Sequence, residues 1–297
     1  MCGRAAMPEL PEVETVRRGL HQLIIGRQIR SQVHDTPKSF PNSEHDVRLF
    51  LINATILDVR RRAKVLLIDL STDYTLVIHL KMTGQLVFRG EETFGAGHPN
   101  ESLIGELPDR STRVTLEFID GAKLYFNDQR KFGWMKLVPT MKVVDMPFMQ
   151  KVGPEPLEDD FTAEEFAARF SRRAKTSIKA ALLDQSVVAG VGNIYADESL
   201  WGAKVHPKRL VGAITSMEFE LLYTELRQVM NLAIEKGGST DKNYVNAEGK
   251  RGSYMDFARV FRREGLACPR CGAEIIKFKA TGRGTHICPV CQPEGAS

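Results

Sequence analysis

The sequence has no apolar run long enough to cross a bilayer, which takes about 20 residues as a helix, so a membrane-spanning helix is excluded. Its first six residues, Met1-Cys2-Gly3-Arg4-Ala5-Ala6, contain no apolar segment of a secretory signal, and a cytoplasmic location is expected. Cysteine is scarce, with five in 297 residues. Four of these fall in two close pairs, which in a chain without a signal favours metal over disulfides. Cys2 stands apart as an unpaired thiol and takes no role. Net charge is also small, +4 from 41 basic and 37 acidic residues, so the chain as a whole is not strongly basic. Its basic residues are clustered, however, and clustering governs polyanion binding more than the total does. No internal repeat or low-complexity segment stands out. The length suffices for two domains with a small third, and for a large core without staples.

The opening stretch Met7-Pro8-Glu9-Leu10-Pro11-Glu12 admits two readings. In the plainer one it is a stiff helix cap. Pro11 suits the first turn, Glu12 and Glu14 suit the positive end of the helix dipole, and Val13, Val16, Leu20 and Leu23 follow at helical spacing to Gly26. In the other, trimming after Met7 makes Pro8 a free secondary amine. An α-amino group ionises near pH ~7.7–8.0, against about 10.4 for lysine. Such an amine is partly unprotonated at neutral pH and attacks carbonyl carbon to form a Schiff base, with Glu9 beside it as a proton donor or acceptor.

Short strand-like runs follow: Ile56–Arg60, Val65–Leu70, Leu76–Leu80, Gln85–Phe88, Arg113–Phe118 and Lys123–Phe126. Asp120-Gly121 marks a hairpin turn between the last two. Many short strands with tight turns predict two packed sheets, a sandwich or barrel. The stretch from Gly90 to Asp109 reads as a long loop. Composition shifts around Val152-Gly153-Pro154-Glu155-Pro156-Leu157, a linker. Beyond it, Phe161–Phe170, Thr176–Leu183 and a longer run carrying Leu221, Leu222, Leu226, Val229 and Met230 read as helices, so the second domain is mainly α.

Cys268-Pro-Arg-Cys271 and Cys288-Pro-Val-Cys291 are two C-x-x-C knuckles separated by sixteen residues. They offer four thiolates to one tetrahedral Zn²⁺, a structural site with no open coordination position. A redox dithiol pair is the alternative. Glu274–Lys279 and His286-Ile287 fit a hairpin between the knuckles. Arg283 lies near its tip and Arg259, Arg262 and Arg263 just before it, a composition suited to a nucleic-acid backbone.

The chain resembles the bacterial formamidopyrimidine-DNA glycosylase family from about Pro8 to Cys291. The resemblance is carried by Pro8-Glu-Leu-Pro-Glu-Val-Glu-Thr15, Arg61-Arg-Ala-Lys64, His79-Leu-Lys-Met-Thr-Gly84, Arg130-Lys-Phe-Gly133, Gly153-Pro-Glu-Pro-Leu157, Gly190-Val-Gly-Asn-Ile-Tyr-Ala196 and the four cysteines, in this order. It implies an α+β multidomain fold: an N-terminal two-layer β-sandwich, a helical helix–two-turn–helix domain and a C-terminal zinc-finger β-hairpin. The expected boundaries are an extension over 1–7, the catalytic domain over 8–140, a linker over 141–158, the helical domain over 159–258 and the finger over 259–293.

The activity implied is excision of 8-oxoguanine and ring-opened purines from duplex DNA in base-excision repair, by a glycosylase that is also an AP lyase and acts as a monomer. It needs one structural Zn²⁺ and no redox cofactor. By the resemblance, Pro8 attacks C1′ and forms a Schiff base, Glu9 is the acid of the glycosylase step, and Lys64 moves a proton in β-elimination. Arg283 serves δ-elimination, where a group with a pKa above 12 stabilises the leaving phosphate by charge rather than donating a proton. Met82, Arg130 and Phe132 correspond to the wedge that fills the gap left by an extruded base. Read alone, Met82 and Phe132 fit a core, Lys64 a solvated basic edge and Arg283 a phosphate contact. Lys175 and Asn193 correspond to DNA-binding positions, and Gly238–Tyr254 to a loop over the extruded purine.

Two features depart from the family. Residues precede Met7, and if they persist Pro8 is an inert internal amide. Where the family carries Lys-His-x-His, this chain has Arg110-Ser111-Thr112-Arg113, so Ser111 replaces a DNA-contacting histidine, and Arg110 or Arg113 is a candidate for its charge. Three rival readings are a sister glycosylase for oxidised pyrimidines, a non-catalytic DNA-binding protein that retains the extension, and a zinc-ribbon interaction protein.

Overall fold

The computed structural model describes residues 8–98, 101–239 and 253–294. The tail with Cys2 and Met7, and residues 240–252 of the Gly238–Tyr254 segment, lie outside the described residues. The chain divides into two compact units, one of residues 1–150 with 236–253 and the other of residues 151–235 with 254–297. No described helix is long and apolar enough to cross a membrane.

The first unit opens with helix α1 (Leu10–Ile24) and then β1 (Ile29–His34). A short α2 (Glu44–Asp46) leads to β2 (Ile56–Arg62), β3 (Val65–Leu70) and β4 (Tyr74–His79). Next come β5 (Gly84–Arg89), β6 (Thr93–Gly97), β7 (Thr112–Phe118), β8 (Lys123–Asp128) and β9 (Trp134–Pro139), and then a short α3 (Pro147–Lys151). The strands form a five-stranded sheet, β1-β7-β8-β5-β6, and a four-stranded sheet, β2-β3-β4-β9. All pairings are antiparallel.

Alternate residues face inward because the side-chain period of a strand is two. Leu66, Ile68, Leu76 and Ile78 from one sheet share a core with Leu86, Phe88, Leu116 and Phe126 from the other. The apolar stripe of α1, Val13, Val16, Leu20 and Leu23, joins the same core. Helix α1 approaches β6 so closely that a Cβ on Gly19 would lie 2.2 Å from the Phe94 ring. The helix stops at Ile24, and Gly26 follows at φ +78°, a conformation suited to glycine.

Strands β1, β6 and β9 escape the sequence pattern. β6 lies inside the stretch read as a loop; its Thr93-Phe-Gly-Ala-Gly97 carries two glycines, which weaken the local strand signal. Pairing with β5 and burial of Phe94 form it nonetheless.

The second unit contains α4 (Ala163–Ser171), α5 (Ile178–Leu183), α6 (Asn193–Gly202) and α7 (Ser216–Glu235). Thr162 and Ser177 cap α4 and α5 by accepting backbone N–H bonds, as N-cap hydroxyls do. Helix α6 packs against α7 and is buried from Ile194 to Gly202. That explains its lack of amphipathic pattern. Leu222, Leu226, Val229 and Met230 of α7 face inward, whereas Leu221 is exposed. The chain ends in the hairpin β10 (Ile276–Ala280) and β11 (Arg283–Ile287).

Candidate active site and nucleic-acid interface

In the first unit, Pro8 is buried and directly precedes Glu9, the N-cap of α1. The stiff-cap reading of this stretch is borne out, with Pro11 in the first turn of the helix. Glu12 accepts the Glu9 backbone N–H at 2.8 Å, as in a capping box. Its other oxygen accepts the Ser239 N–H at 2.7 Å. One carboxylate thus ties the first turn of α1 to the chain entering 240–252.

Lys64 occupies the two-residue turn between β2 and β3, beside Ala63 at φ +52°. It is 9% exposed, not on a solvated edge. Strand pairing sets Val65, its neighbour, opposite His79. Burial, and then the charges of Lys81 and Lys64, push the His79 pKa down to about 3. The ring is neutral at working pH. Its Nδ1 accepts the Lys81 N–H at 3.1 Å, which leaves the proton on Nε2. Sequence reasoning assigned His79 no role, although it heads a family motif.

Met82, Arg130 and Phe132 converge. Arg130 Nη1 lies 3.1 Å from Met82 Sδ, and its guanidinium sits 4.9 Å from the Phe132 ring centroid. Lys38 Nζ stands over the same ring at 5.5 Å. Phe132 is 44% exposed, so it is a protruding aromatic, not a core residue.

The region in place of the family's histidines is also defined. Ser111 is buried and bonded to Asp109 and Ser102. Arg113 is 5% exposed, paired with Asp35 and donating to the Asp128 and Arg110 carbonyls. Its charge is consumed internally, which removes Arg113 as a phosphate contact. Arg110 is exposed.

In the second unit, Lys175 is exposed ahead of α5. Asn193, first residue of α6, donates from Nδ2 to the Gly284 carbonyl at 2.9 Å. It therefore reaches the hairpin next to Arg283. Thr281 and Gly282, at φ +50° and +73°, form the tight turn that such a hairpin requires. They leave Arg283 exposed at the start of β11.

A buried polar network lies behind this hairpin. Lys179 Nζ donates to Asp197 Oδ1 at 2.6 Å and to Thr285 Oγ1 at 2.8 Å. Asp197 Oδ2 accepts the His286 backbone N–H at 3.0 Å and lies 3.1 Å from its Nδ1. Sequence reasoning missed this network, because its partners are far apart in the chain.

The four cysteine sulfurs lie within 4.8 Å of one another, with Cys268–Cys291 at 3.9 Å and Cys271–Cys288 at 3.4 Å. Tetrahedral zinc with Zn–S bonds of about 2.3 Å sets sulfurs roughly 3.8 Å apart. Burial opposes ionisation of Cys268, but the Arg270 and Cys271 N–H groups bring its pKa down to about 6. Burial and the neighbouring thiols push Cys291 up to about 12. Four thiolates in one cluster need a cation between them, and the donor set is compatible with one structural Zn²⁺.

Three family models cover the chain in order. The formamidopyrimidine-DNA glycosylase N-terminal domain matches residues 7–135, the formamidopyrimidine-DNA glycosylase H2TH domain 152–244, and the zinc finger found in FPG and IleRS 265–293. The chain belongs to the formamidopyrimidine-DNA glycosylase family. Relatives bearing that family's name include those of Herpetosiphon aurantiacus (43% identical; 96% of this chain, 100% of that one) and Pelotomaculum thermopropionicum (40%; 96% and 99%). Among solved structures, a Lactococcus lactis FPG mutant bound to Fapy-dG-containing DNA superimposes with a TM-score of 0.85, at 35% identity over 97% of this chain and all of that one. The Thermus thermophilus MutM (FPG) protein gives 0.82 at 40% identity, over 97% and 100%. The sandwich, the helical H2TH domain and the finger all follow the family fold.

Proposed function

We propose that this chain excises oxidised and ring-opened purines from duplex DNA, and that Pro8 is its nucleophile. It is a DNA glycosylase of base-excision repair with AP-lyase activity, and damaged duplex DNA is its partner. Its action on DNA is in keeping with a cytoplasmic location. The observation that carries the reading is the assembled wedge of Met82, Arg130 and Phe132 in the unit that contains Pro8. A base must leave the stack before C1′ is reachable. An exposed aromatic with a guanidinium against it fills the gap and offers donors to the orphaned cytosine.

The steps then follow from the residues. The unprotonated Pro8 nitrogen attacks C1′ as the N-glycosidic bond breaks, and Glu9 supplies the proton that opens the sugar. The resulting iminium acidifies the C2′–H. Lys64, held in its turn, assists removal of that proton, and the 3′ phosphate leaves by β-elimination. δ-Elimination releases the 5′ phosphate, with Arg283 stabilising the charge that develops on it. Lys175 and Asn193 grip the backbone. Zn²⁺ supplies no chemistry; Cys268, Cys271, Cys288 and Cys291 would hold it to fix the finger.

Borohydride trapping on an 8-oxoguanine:cytosine duplex, with mass analysis of the N-terminal peptide, tests this. A chain beginning at Pro8 and bearing the sugar adduct on that residue is expected. A chain retaining residues 1–7 and binding DNA without adduct or scission would instead establish a non-catalytic binder. Preference for thymine glycol over 8-oxoguanine would move it to the sister enzyme.

A further inference from the structure

The loop that carries Arg130 and Phe132 makes a turn with Lys131 at φ +56°. Its shape comes from one carboxylate. Asp128, at the end of β8, is 0% exposed. Its Oδ2 accepts the backbone N–H groups of Phe132 at 2.8 Å and Gly133 at 2.6 Å. Its Oδ1 accepts the Arg130 N–H at 3.1 Å and the hydroxyl of Thr83. Thr83 Oγ1 in turn accepts the same Arg130 N–H at 3.0 Å. Thr83 is the residue after Met82, so the carboxylate is bonded to both segments that supply the wedge.

Asp128 is itself anchored from behind. Its N–H donates to the Ser111 carbonyl at 2.8 Å, and its carbonyl accepts Arg113 Nε at 2.8 Å. Ser111 and Arg113 stand where the family's Lys-His-x-His carries its two histidines; Ser111 contributes through its main chain, as any residue there would, and Arg113 through its side chain. The loop is also closely packed at Gly133. A Cβ on Gly133 would lie 2.6 Å from the Phe126 ring and 3.0 Å from the His79 carbonyl.

We propose that Asp128 is the positioning residue of the wedge, holding Phe132 and Arg130 in the inserting geometry before DNA arrives, and that the Arg113 side chain braces the Asp128 main chain rather than contacting the DNA backbone. The inference builds on the glycosylase reading above and adds to it how opposite-base selection is set. A carboxylate with two acceptor oxygens satisfies four donors at once. An amide of the same shape replaces one acceptor by a donor and must repel at least one of them. Order in the loop matters because an aromatic that is already oriented inserts without a further ordering cost. The angle at which Arg130 meets the orphaned base decides whether cytosine or adenine satisfies it.

The test uses the full zinc-loaded chain carrying Asp128→Asn and, separately, Thr83→Val. Excision of 8-oxoguanine is compared opposite cytosine and opposite adenine, with 2-aminopurine next to the lesion reporting insertion. Asp128→Asn is expected to lower the cytosine-to-adenine ratio at least 10-fold and to slow the insertion-dependent fluorescence change. Thr83→Val, which removes one donor and leaves the carboxylate, shifts the ratio in the same direction by a smaller factor and guards against a folding defect in the first variant. Equal losses opposite both bases, with an unchanged insertion rate, would mean that Asp128 only stabilises the fold and would overturn the proposal. If wild-type protein neither traps nor excises, the glycosylase reading fails first, and the two failures are distinguishable.

Discussion

Arg61 donates from Nε to the Glu14 carboxylate at 3.1 Å and from Nη1 to the Ala63 carbonyl at 3.0 Å. One guanidinium therefore joins α1, which follows Pro8, to the turn that carries Lys64. Both side chains of the pair are about nine-tenths buried, so the contact is shielded from screening salt.

Glu14 makes this join pH-dependent. Burial alone would raise its pKa, but hydrogen bonds and charge from Arg17, Arg18 and Arg61 outweigh it and hold the carboxyl below its ordinary 4.5. A carboxylate depressed on folding contributes stability that is present above its unfolded pKa and lost as pH falls through the folded one. Glu14→Gln is therefore expected to cost about 1–3 kcal/mol at pH 7. The gap from wild type should narrow as pH drops below about 4.5, read by urea unfolding at several pH values. In the same variant β-elimination slows more than base release, because the Lys64 turn loses its tether. Equal slowing of both steps would show that the tether does not serve Lys64.

Arg110 and Arg113 separate cleanly. Arg110 is exposed and Arg113 is consumed by Asp35 and two carbonyls. Neutralising a phosphate contact lowers the slope of log K against log salt by about 1. Arg110→Ala is expected to show that loss with little change in melting temperature. Arg113→Ala should leave the slope intact and lower stability by about 3–5 kcal/mol, the scale for breaking a buried ion pair. An unchanged slope for Arg110→Ala would leave the family histidine without any charged substitute at this edge.

Sequence pattern revealed those elements whose signal is local. Val65–Leu70 and the inward periodicity of the central strands, the stripe of α1 and the two cysteine knuckles all express themselves within a few residues. β6 did not, because Gly95 and Gly97 hide a strand that pairing and the burial of Phe94 create. Helix α6 hid its orientation because it is buried around its whole circumference, with polar Asp197, Glu198 and Ser199 buried among its apolar residues. The candidate positions Pro8, Lys64, Phe132 and Arg283 were legible through motifs. The groups that hold them were not, since Arg61–Glu14, Lys179–Asp197 and Asp128–Thr83 span 47, 18 and 45 positions. A charged residue bears no mark in sequence of whether it faces solvent or a partner. Arg113, which looked available and is buried, makes the point.

Removing the metal should disable the finger selectively. With the cation gone, buried thiols whose pKa values reach up to about 12 at Cys291 cannot all ionise, and repulsion and protonation dismantle the cluster. Chelation is expected to release one zinc per chain and weaken binding to an abasic duplex by more than 10-fold, while the melting of the sandwich is unchanged. Metal analysis alongside fluorescence anisotropy reads both. Full affinity in the zinc-free chain would show that the hairpin is held by the Lys179–Asp197 network alone.

That network yields the sharpest contrast. Lys179 and Asp197 side chains are fully buried. Taking two charges out of water costs several kcal/mol, which their attraction offsets only with good geometry and further hydrogen bonds. Both conditions hold here, through Thr285 and the two His286 contacts. Asp197→Asn leaves the ammonium uncompensated and is expected to cost about 3–5 kcal/mol. Replacing both partners, Lys179→Met with Asp197→Leu, removes the stranded charge and should recover most of that stability. It does not restore the acceptor for the His286 N–H, so β11 loses its fixed seat and Arg283 its aim. The double variant is therefore expected to melt near wild type, keep its zinc, and release the 5′ phosphate slowly after normal β-elimination. Resolving the β- and δ-products on a gel decides it: normal δ-elimination in the stable double variant would show that the buried pair serves stability and has no part in placing Arg283.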